Sequence, residues 1–279
     1  IRDSFWPRVM DMNDRSLRSI TIGQGAKVNG PIRRDRFDIT AASEVMAILA
    51  LSMDYRDLRE RLGRVVVASD VDGAPVTADQ LNAGGAMALL LRDAFLPNLV
   101  QTLEGDPAFI HCGPFANIAH GNSSVIADSI ALSTCEYVVT EAGFGADMGA
   151  EKALQIKSDS SGVLPDCIVL NVTVRSMKLH GGAFGAKGSR RPTSEELATE
   201  NVEATSIGAS TNLARHLTNL TGTGIPVVVS INRFSTDTDR ELSSIKDVAL
   251  ASGAREVVLF EGHGKGGEGA MELARSVLE

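Results

Sequence analysis

The sequence predicts an α/β protein built on a parallel sheet, preceded by a helix-rich N-terminal subdomain. Three observations lead there: from residue 108 onward short β-branched runs recur, each ends in a polar or Gly-rich turn, and helical apolar spacing then takes over. Near-continuous apolar runs suit strands buried on both faces, and their alternation with helices suits parallel pairing with helices on both faces of the sheet.

Five runs are expected strands: Ala108-Phe-Ile-His-Cys112, Glu136-Tyr-Val-Val-Thr140, Cys167-Ile-Val-Leu-Asn-Val-Thr173, Ile225-Pro-Val-Val-Val-Ser-Ile231 and Glu256-Val-Val-Leu-Phe260. The longest intervening helix should start at Thr193, whose hydroxyl can cap the first turn while Glu196 reaches back to it. Leu213, Leu217 and Leu220 give its later part a buried stripe, and Gly222, Gly224 and Pro226 stop it. Ahead of the sheet, residues 40–62 keep helical spacing at Val45, Ile48, Leu49, Leu58 and Leu62, with Asp57 one turn before Arg61 as a surface ion pair. A hairpin follows: Val65-Val-Val-Ala68, the turn Asp70-Val-Asp-Gly73, then Pro75-Val-Thr77. A soft boundary near Asp106-Pro107 divides a helix-rich subdomain with a short hairpin, 1–107, from a parallel α/β core, 108–231, and 232–279 starts a further α/β subdomain. The basic stretch Lys187-Gly-Ser-Arg-Arg191 is read as a solvated insertion in preference to an anion site.

With 279 residues, 43% of them apolar and 22% charged, the chain can bury a core and is not a disordered segment. Its 27 basic and 35 acidic side chains give a net charge of -8, which argues against nucleic acid or an anionic membrane as the main partner. Arg92 and Asp93 interrupt the apolar stretch around them, and no run reaches the roughly 18 to 20 residues of a membrane span. Cys112, Cys135 and Cys167 fit no zinc or disulfide spacing, so a reducing, cytoplasmic setting is expected. The chain opens without Met and reads as a piece of something longer.

Several motifs bear on chemistry. Gly262-His-Gly264-Lys-Gly-Gly267 follows an expected strand and precedes a helix, the setting of a dinucleotide fingerprint or, more broadly, of a phosphate-binding turn. No Walker A sequence, H-E-x-x-H or G-x-S-x-G elbow is found. His111-Cys-Gly-Pro-Phe-Ala-Asn117-Ile-Ala-His120-Gly-Asn-Ser-Ser124 gathers polar and small residues at the end of the first expected strand, either as a ligand site or as a capped turn whose polar groups satisfy one another. Thr140-Glu-Ala-Gly-Phe-Gly-Ala-Asp147 ends the second, where Gly143 and Gly145 let backbone N–H groups approach a ligand and Glu141 and Asp147 could serve a metal or act as base. The third leads into Arg175, Lys178 and His180, and the fourth into Asn232-Arg-Phe-Ser-Thr-Asp237.

On these segments the chain resembles formate-tetrahydrofolate ligase, also called 10-formyltetrahydrofolate synthetase. The resemblance runs through Arg8-Val-Met-Asp-Met-Asn-Asp-Arg15, Phe37-Asp-Ile-Thr-Ala-Ala-Ser-Glu-Val-Met-Ala47, Leu58-Arg-Glu-Arg-Leu-Gly63, Pro97-Asn-Leu-Val-Gln-Thr-Leu-Glu104, Gly113-Pro-Phe-Ala-Asn-Ile-Ala-His-Gly121, Glu141-Ala-Gly-Phe-Gly-Ala-Asp147 and Thr173 to Gly182, which looks like the family's T-V-R-A-L-K-x-H-G-G signature. Two motifs depart from the family. N-K-F-P-T-D-T stands here as Asn232-Arg-Phe-Ser-Thr-Asp-Thr238, and the tryptophan just before A-K-G-G-E-G is replaced by His263 or displaced. The family's G-K-T-T nucleotide loop lies upstream of the residues here, so an internal segment is expected, inactive on its own.

The resemblance implies a P-loop NTPase-like parallel sheet, a homotetramer, and ATP-dependent ligation of formate to tetrahydrofolate through formyl phosphate, a reaction of one-carbon metabolism. It implies ATP with Mg, admits a monovalent cation, and calls for no tightly bound cofactor and no protein metal site. Ala116, Phe144 and Gly145 would line the formyl phosphate site, with His120 as a further polar contact. Phe234 would stack on the pterin with His263 as the second wall, making 232–279 the folate side. Asn232, Lys265, Gly266 and Gly267 would meet the nucleotide. Arg175 and Lys178 either hold phosphate or tie strand to helix. Two other classes stay open: a nicotinamide-linked oxidoreductase on Gly262, Gly264 and Gly267, and a non-catalytic module derived from the ligase.

Overall fold

A computed structural model describes residues 1–12, 14–184 and 192–279; the basic stretch 187–191 lies outside the described residues. The chain divides into two compact units, Ile1–Val163 and Leu164–Glu279. Together they make a mixed α/β protein with a parallel sheet and many helices.

In the first unit the expected helical block at 40–62 forms, but in pieces. Ser43 caps Glu44–Leu51 by accepting from the Met46 N–H, and Asp54 caps Tyr55–Arg64 by accepting from the Asp57 N–H. Between them the Ser52 hydroxyl turns back to donate to the Ile48 carbonyl at 2.7 Å, which competes with helical continuation. Leu49, Leu58 and Leu62 pack with Ala88 and Phe95 into one core cluster. Leu58 and Leu62 are fully buried, each contributing about 1.5–3 kcal/mol of transfer free energy. Arg61 and Asp57 pair at 2.8 Å as their spacing predicts. The hairpin also forms, Val66–Ser69 pairing antiparallel with Pro75–Thr77. Its turn is held by Asp70 Oδ1, which accepts from the Asp72 and Ala74 N–H groups.

The first two expected strands do not join a parallel sheet. Pro107–Ile110 pairs antiparallel with Asn98–Gln101, and the connecting turn passes through Gly105 at φ 97°. The expected boundary at Asp106-Pro107 therefore falls inside a hairpin. The run 136–140 has no strand partner among the described residues, and Val139 is 96% exposed. Its β-branched composition suits a pleated surface, yet a strand exists only where a neighbour takes its N–H and C=O groups.

The second unit carries the parallel sheet as three strands: Ile168–Val172 at one edge, Val227–Asn232 in the centre and Glu256–Phe260 at the other edge. Every residue from Val227 to Ile231 is buried. Because successive side chains point to opposite faces, both faces of the central strand are covered. The edge strand Ile168–Val172 leaves Val169 and Asn171 exposed, so the expectation of two covered faces holds for the centre and not for this edge. The Thr193 and Glu196 capping box is present, but the helix it starts, Ser194–Ala198, ends within five residues. Asn201 caps a new helix, Val202–Gly208, and a π-helical turn at Ala209–Leu213 leads into Ala214–Thr221. Leu213, Leu217 and Leu220 are buried as the stripe predicts.

One buried ion pair ties this unit together. Lys178, on Val174–His180, is 1% exposed and meets Glu241 Oε1 at 2.7 Å, while Glu241, on Asp239–Ala251, is fully buried. Lys178 Nζ also donates to the Thr199 carbonyl at 2.9 Å, and Glu241 accepts from the N–H groups of Asn201 and Thr238. Burial opposes the Glu241 charge, yet the Lys178 ammonium and the two backbone donors outweigh it and hold the carboxyl below its ordinary value. Removing one partner of such a pair strands the other charge in the core. Lys178→Met should therefore lower unfolding free energy by about 3–5 kcal/mol in urea denaturation, and Lys178→Met with Glu241→Leu should regain most of it. A loss below about 1 kcal/mol for the single change would show that the pair is not holding the unit.

Candidate active site

The first unit assembles the segments 113–124 and 141–149 by backbone contact. The Gly143 N–H donates to the Gly121 carbonyl at 2.8 Å. A Cβ at Gly121, which also sits at φ 63°, would collide with Ala116; one at Gly143 would come within 2.9 Å of the Gly121 carbonyl oxygen; one at Gly149 would collide with the Gly143 carbonyl. Only glycine lets these backbones meet. Beyond Gly143 the chain is turned by Phe144 at φ 62°, a strained position for a bulky side chain, and the Phe144 ring is left 70% exposed. The Gly145 carbonyl accepts from the Met148 and Gly149 N–H groups, which closes the loop. A Cβ at Gly145 itself would meet only the Asp147 side chain, at 2.6 Å.

Two lysines brace the cradle. Lys152 Nζ donates to the Ala116 carbonyl. Lys157, buried, pairs with Asp128 at 2.5 Å and donates to Asn122 Oδ1 at 3.0 Å, an oxygen that also accepts from the Thr140 hydroxyl at 2.9 Å. His120 is fully buried, with no partner in hydrogen-bond geometry at either ring nitrogen. Burial, reinforced by the nearby Lys157 charge, pushes its pKa down to about 4. His111 is also buried and is satisfied: its ring meets the Ser124 hydroxyl at 2.6 Å and the Ala94 carbonyl at 2.8 Å, while Ser124 caps Val125–Thr134. Of the two readings of this segment, the capped turn describes His111 and Ser124. Burial pushes the Cys112 thiol up to about 12, which leaves it a poor nucleophile. A cleft of about 950 Å³ runs past Phe109, His111, Cys112 and Ala131 and reaches Gly121 and Glu141. It stops short of Ala116, Phe144 and Gly145.

The second unit presents the carboxyl ends of its three parallel strands, the usual ligand edge of an α/β sheet. Asn232 is in register with Phe260, and the Arg233 N–H donates to the Phe260 carbonyl at 3.0 Å. Just beyond, the Arg175 guanidinium carbon lies 3.9 Å from the centroid of the Phe234 ring. Asp237 clamps the same turn: its Oδ2 accepts from the Phe234 N–H at 2.8 Å, and its own N–H donates to the Phe234 carbonyl at 3.0 Å. Burial pushes the Asp237 carboxyl up.

The glycine run 262–267 does not form an open phosphate loop. Gly262–Lys265 is a helical turn in which the Gly264 and Lys265 N–H groups donate to the Glu261 carbonyl, and Gly266–Ala270 continues as a 3-10 turn before the helix Met271–Leu278. Lys265 pairs with Glu261 at 2.5 Å, Gly266 and His263 are exposed, and Gly267 is half-buried. Among the described residues no three His, Cys, Asp or Glu side chains converge as metal ligands.

Ala116, Phe144 and Gly145 thus belong to one constellation, and Arg175, Asn232 and Phe234 to another. Lys178 is committed to Glu241, the strand-to-helix tie of its two readings. Sequence reasoning passed over Lys152, Lys157 and Asp128, since three polar residues on helical segments read as surface. It also missed Gly149 as the third contact of the cradle, although Gly121, Gly143, Gly145 and Gly149 form a visible glycine series.

An α/β protein with a glycine-built loop pair and a parallel-sheet ligand edge is the class these features define. A family model for formate--tetrahydrofolate ligase matches residues 1–279, and the chain belongs to that family. It is 52% identical to formate--tetrahydrofolate ligase of Desulforamulus reducens over 98% of the chain and 48% of that protein. Against the enzyme of Roseiflexus castenholzii it is 53% identical over 99% of the chain and 48% of the relative. Against that of Dinoroseobacter shibae it is 52% identical over 100% and 48%. The chain spans about half the length of the curated relatives it matches. No helix among the described residues is long and apolar enough to cross a membrane.

The buried imidazole makes a pH prediction. A histidine whose folded pKa lies at about 4, against an ordinary 6.5, favours the neutral form, so its contribution is complete above pH 6.5 and is lost as pH falls towards 4. That loss is on the order of 3 kcal/mol. Melting temperature should fall between pH 7 and pH 4 more steeply for the native sequence than for His120→Leu. Parallel curves would contradict a buried neutral His120.

Proposed function

We propose that this chain supplies the formyl phosphate pocket and the folate face of an ATP-dependent formate-tetrahydrofolate ligase, with a P-loop NTPase-like core. Family membership supports the overall reaction, and the carrying observation is the glycine-only contact among Gly121, Gly143 and Gly149, which sets Ala116 against the turn bearing Phe144 and Gly145. In the first step a formate oxygen attacks the γ-phosphorus of ATP and the bond to ADP breaks, leaving formyl phosphate. In the second, the N10 lone pair of tetrahydrofolate attacks the formyl carbon, the tetrahedral adduct collapses with cleavage of the carbon–oxygen bond to phosphate, which departs as inorganic phosphate, and the N10 proton passes to solvent. Both steps develop charge on oxygen, which backbone N–H groups held in a fixed turn can stabilise without reorganising.

Phe234 is the pterin-stacking residue in this proposal, and Asn232 reads the nucleotide edge. The family implies Mg with ATP; the described residues bring no metal-ligating cluster of their own, so no step here is routed through it. Membership of the ligase family over residues 1–279 favours the ligase over a dinucleotide-binding oxidoreductase built on the glycine run at 262–267.

Gly145 provides the test, because its Cβ would press only on the movable Asp147 side chain. In the full-length protein Gly145→Val should keep the fold and melting temperature while cutting 10-formyltetrahydrofolate formation by more than about tenfold, through exclusion of the phosphate from the backbone. Activity within about twofold of the native enzyme would remove Gly145 from the pocket.

A further inference from the structure

Phe234 is half-buried, and its surroundings are unequal. Arg175 Nε is a buried donor without a hydrogen-bond partner, and the guanidinium rests on the ring at 3.9 Å. Of the charges that act on Asp237, Arg175 is among those that draw its carboxyl down against burial, so the arginine also sits near this clamp. Asp237 is itself 6% exposed and holds the Phe234 backbone from both directions, by its carboxylate and by its own N–H. The backbone of Phe234 is therefore fixed by Asp237 and one face of the ring is occupied by a cation.

A cation within about 6 Å of a ring centroid is attracted to the π face, and more strongly where both are desolvated. It locks the ring plane and leaves a single face to stack against. It also draws electron density from the ring, which suits an electron-rich heterocycle on the opposite side. Arg175 is placed to do this by its own element. It stands at the second position of Val174–His180, a helix whose start is fixed by the Thr173 and Ser176 capping box and whose Lys178 is anchored to Glu241.

We infer that Arg175 is a positioning residue: its guanidinium holds the Phe234 ring as a stacking platform for a flat, electron-rich heteroaromatic ligand on the opposite face. The inference rests on the proposal that Phe234 stacks on the pterin. It assigns Arg175 to the folate and not to phosphate.

The experiment is steady-state kinetics of the full-length protein with ATP, formate and tetrahydrofolate. Arg175→Met should raise the KM for tetrahydrofolate about three- to tenfold, with kcat and the KM for ATP near native values. Arg175→Lys, which keeps a cation, should restore part of the affinity. In a Phe234→Leu background the Arg175→Met effect should vanish, because the arginine acts through the ring. An unchanged folate KM in Arg175→Met, with a raised one in Phe234→Ala, would overturn the inference and leave the stacking proposal standing. An unchanged folate KM in Phe234→Ala would remove the stacking proposal itself. A raised KM for ATP in Arg175→Met would assign the guanidinium to phosphate and overturn the inference. If Arg175→Met does not fold, Arg175→Lys against Arg175→Gln gives the same comparison, and equal folate KM values in those two would overturn it.

Discussion

The Gly143 N–H donating to the Gly121 carbonyl at 2.8 Å is the contact on which the candidate active site depends. It is possible only because the three glycines at the crossing carry no Cβ, and it fixes the distance between Ala116 and the turn at Phe144. Everything else nearby serves that crossing. Lys152 holds the Ala116 carbonyl, Lys157 joins Asn122 to Asp128, and His120, next to Gly121 in the chain, is buried as a neutral ring. A positive φ at Phe144 costs about 1–3 kcal/mol, and persists because its neighbours over-determine it. Strain held in this way marks a loop whose shape matters more than its stability.

The second unit uses a different device for the same end. Here a fully buried ion pair, Lys178 with Glu241, gathers the ends of the segments around 174–180, 197–201 and 238–241. Such a pair adds little net stability over an apolar substitute, but breaking it is expensive, so it acts as a register pin. Its consequence is geometric. With Lys178 pinned, Arg175 one helical turn earlier faces the turn after the central strand, where Asp237 presents Phe234 to it. Glycine contact in one unit and ion pairing in the other each convert a loop into a fixed surface.

Much of the fold was legible because its signals are local. The runs at 168–172, 227–232 and 256–260 are continuously apolar or β-branched and became the parallel sheet, and Thr193 with Glu196 formed the capping box their spacing requires. The run at 136–140 has similar composition and formed no strand, since composition does not name a partner. The helix from Thr193 broke at Thr199 because Asn201 caps a new start and Glu241 takes its N–H, a contact forty residues away that no local pattern carries. Positive φ at Phe144 and Cys112 was equally hidden, being imposed by packing on residues that avoid that region. At the candidate site the motif residues could be picked by resemblance. Which of them meet, and that Lys178 is committed to an ion pair while Arg175 lies on Phe234, is set by packing between segments far apart in the chain, which no local motif carries.

In the proposed reaction the glycine crossing of 113–121 and 141–149 holds the intermediate. Hydrogen–deuterium exchange of the full-length protein checks this, comparing the enzyme alone, with ATP and formate, and with tetrahydrofolate added. Peptides covering 113–121 and 141–149 should gain protection on addition of ATP and formate, before folate is present, and those covering 232–238 should gain it only with tetrahydrofolate. Unchanged exchange across 113–121 and 141–149 under turnover conditions, with protection elsewhere in the protein, would place the intermediate away from the glycine crossing.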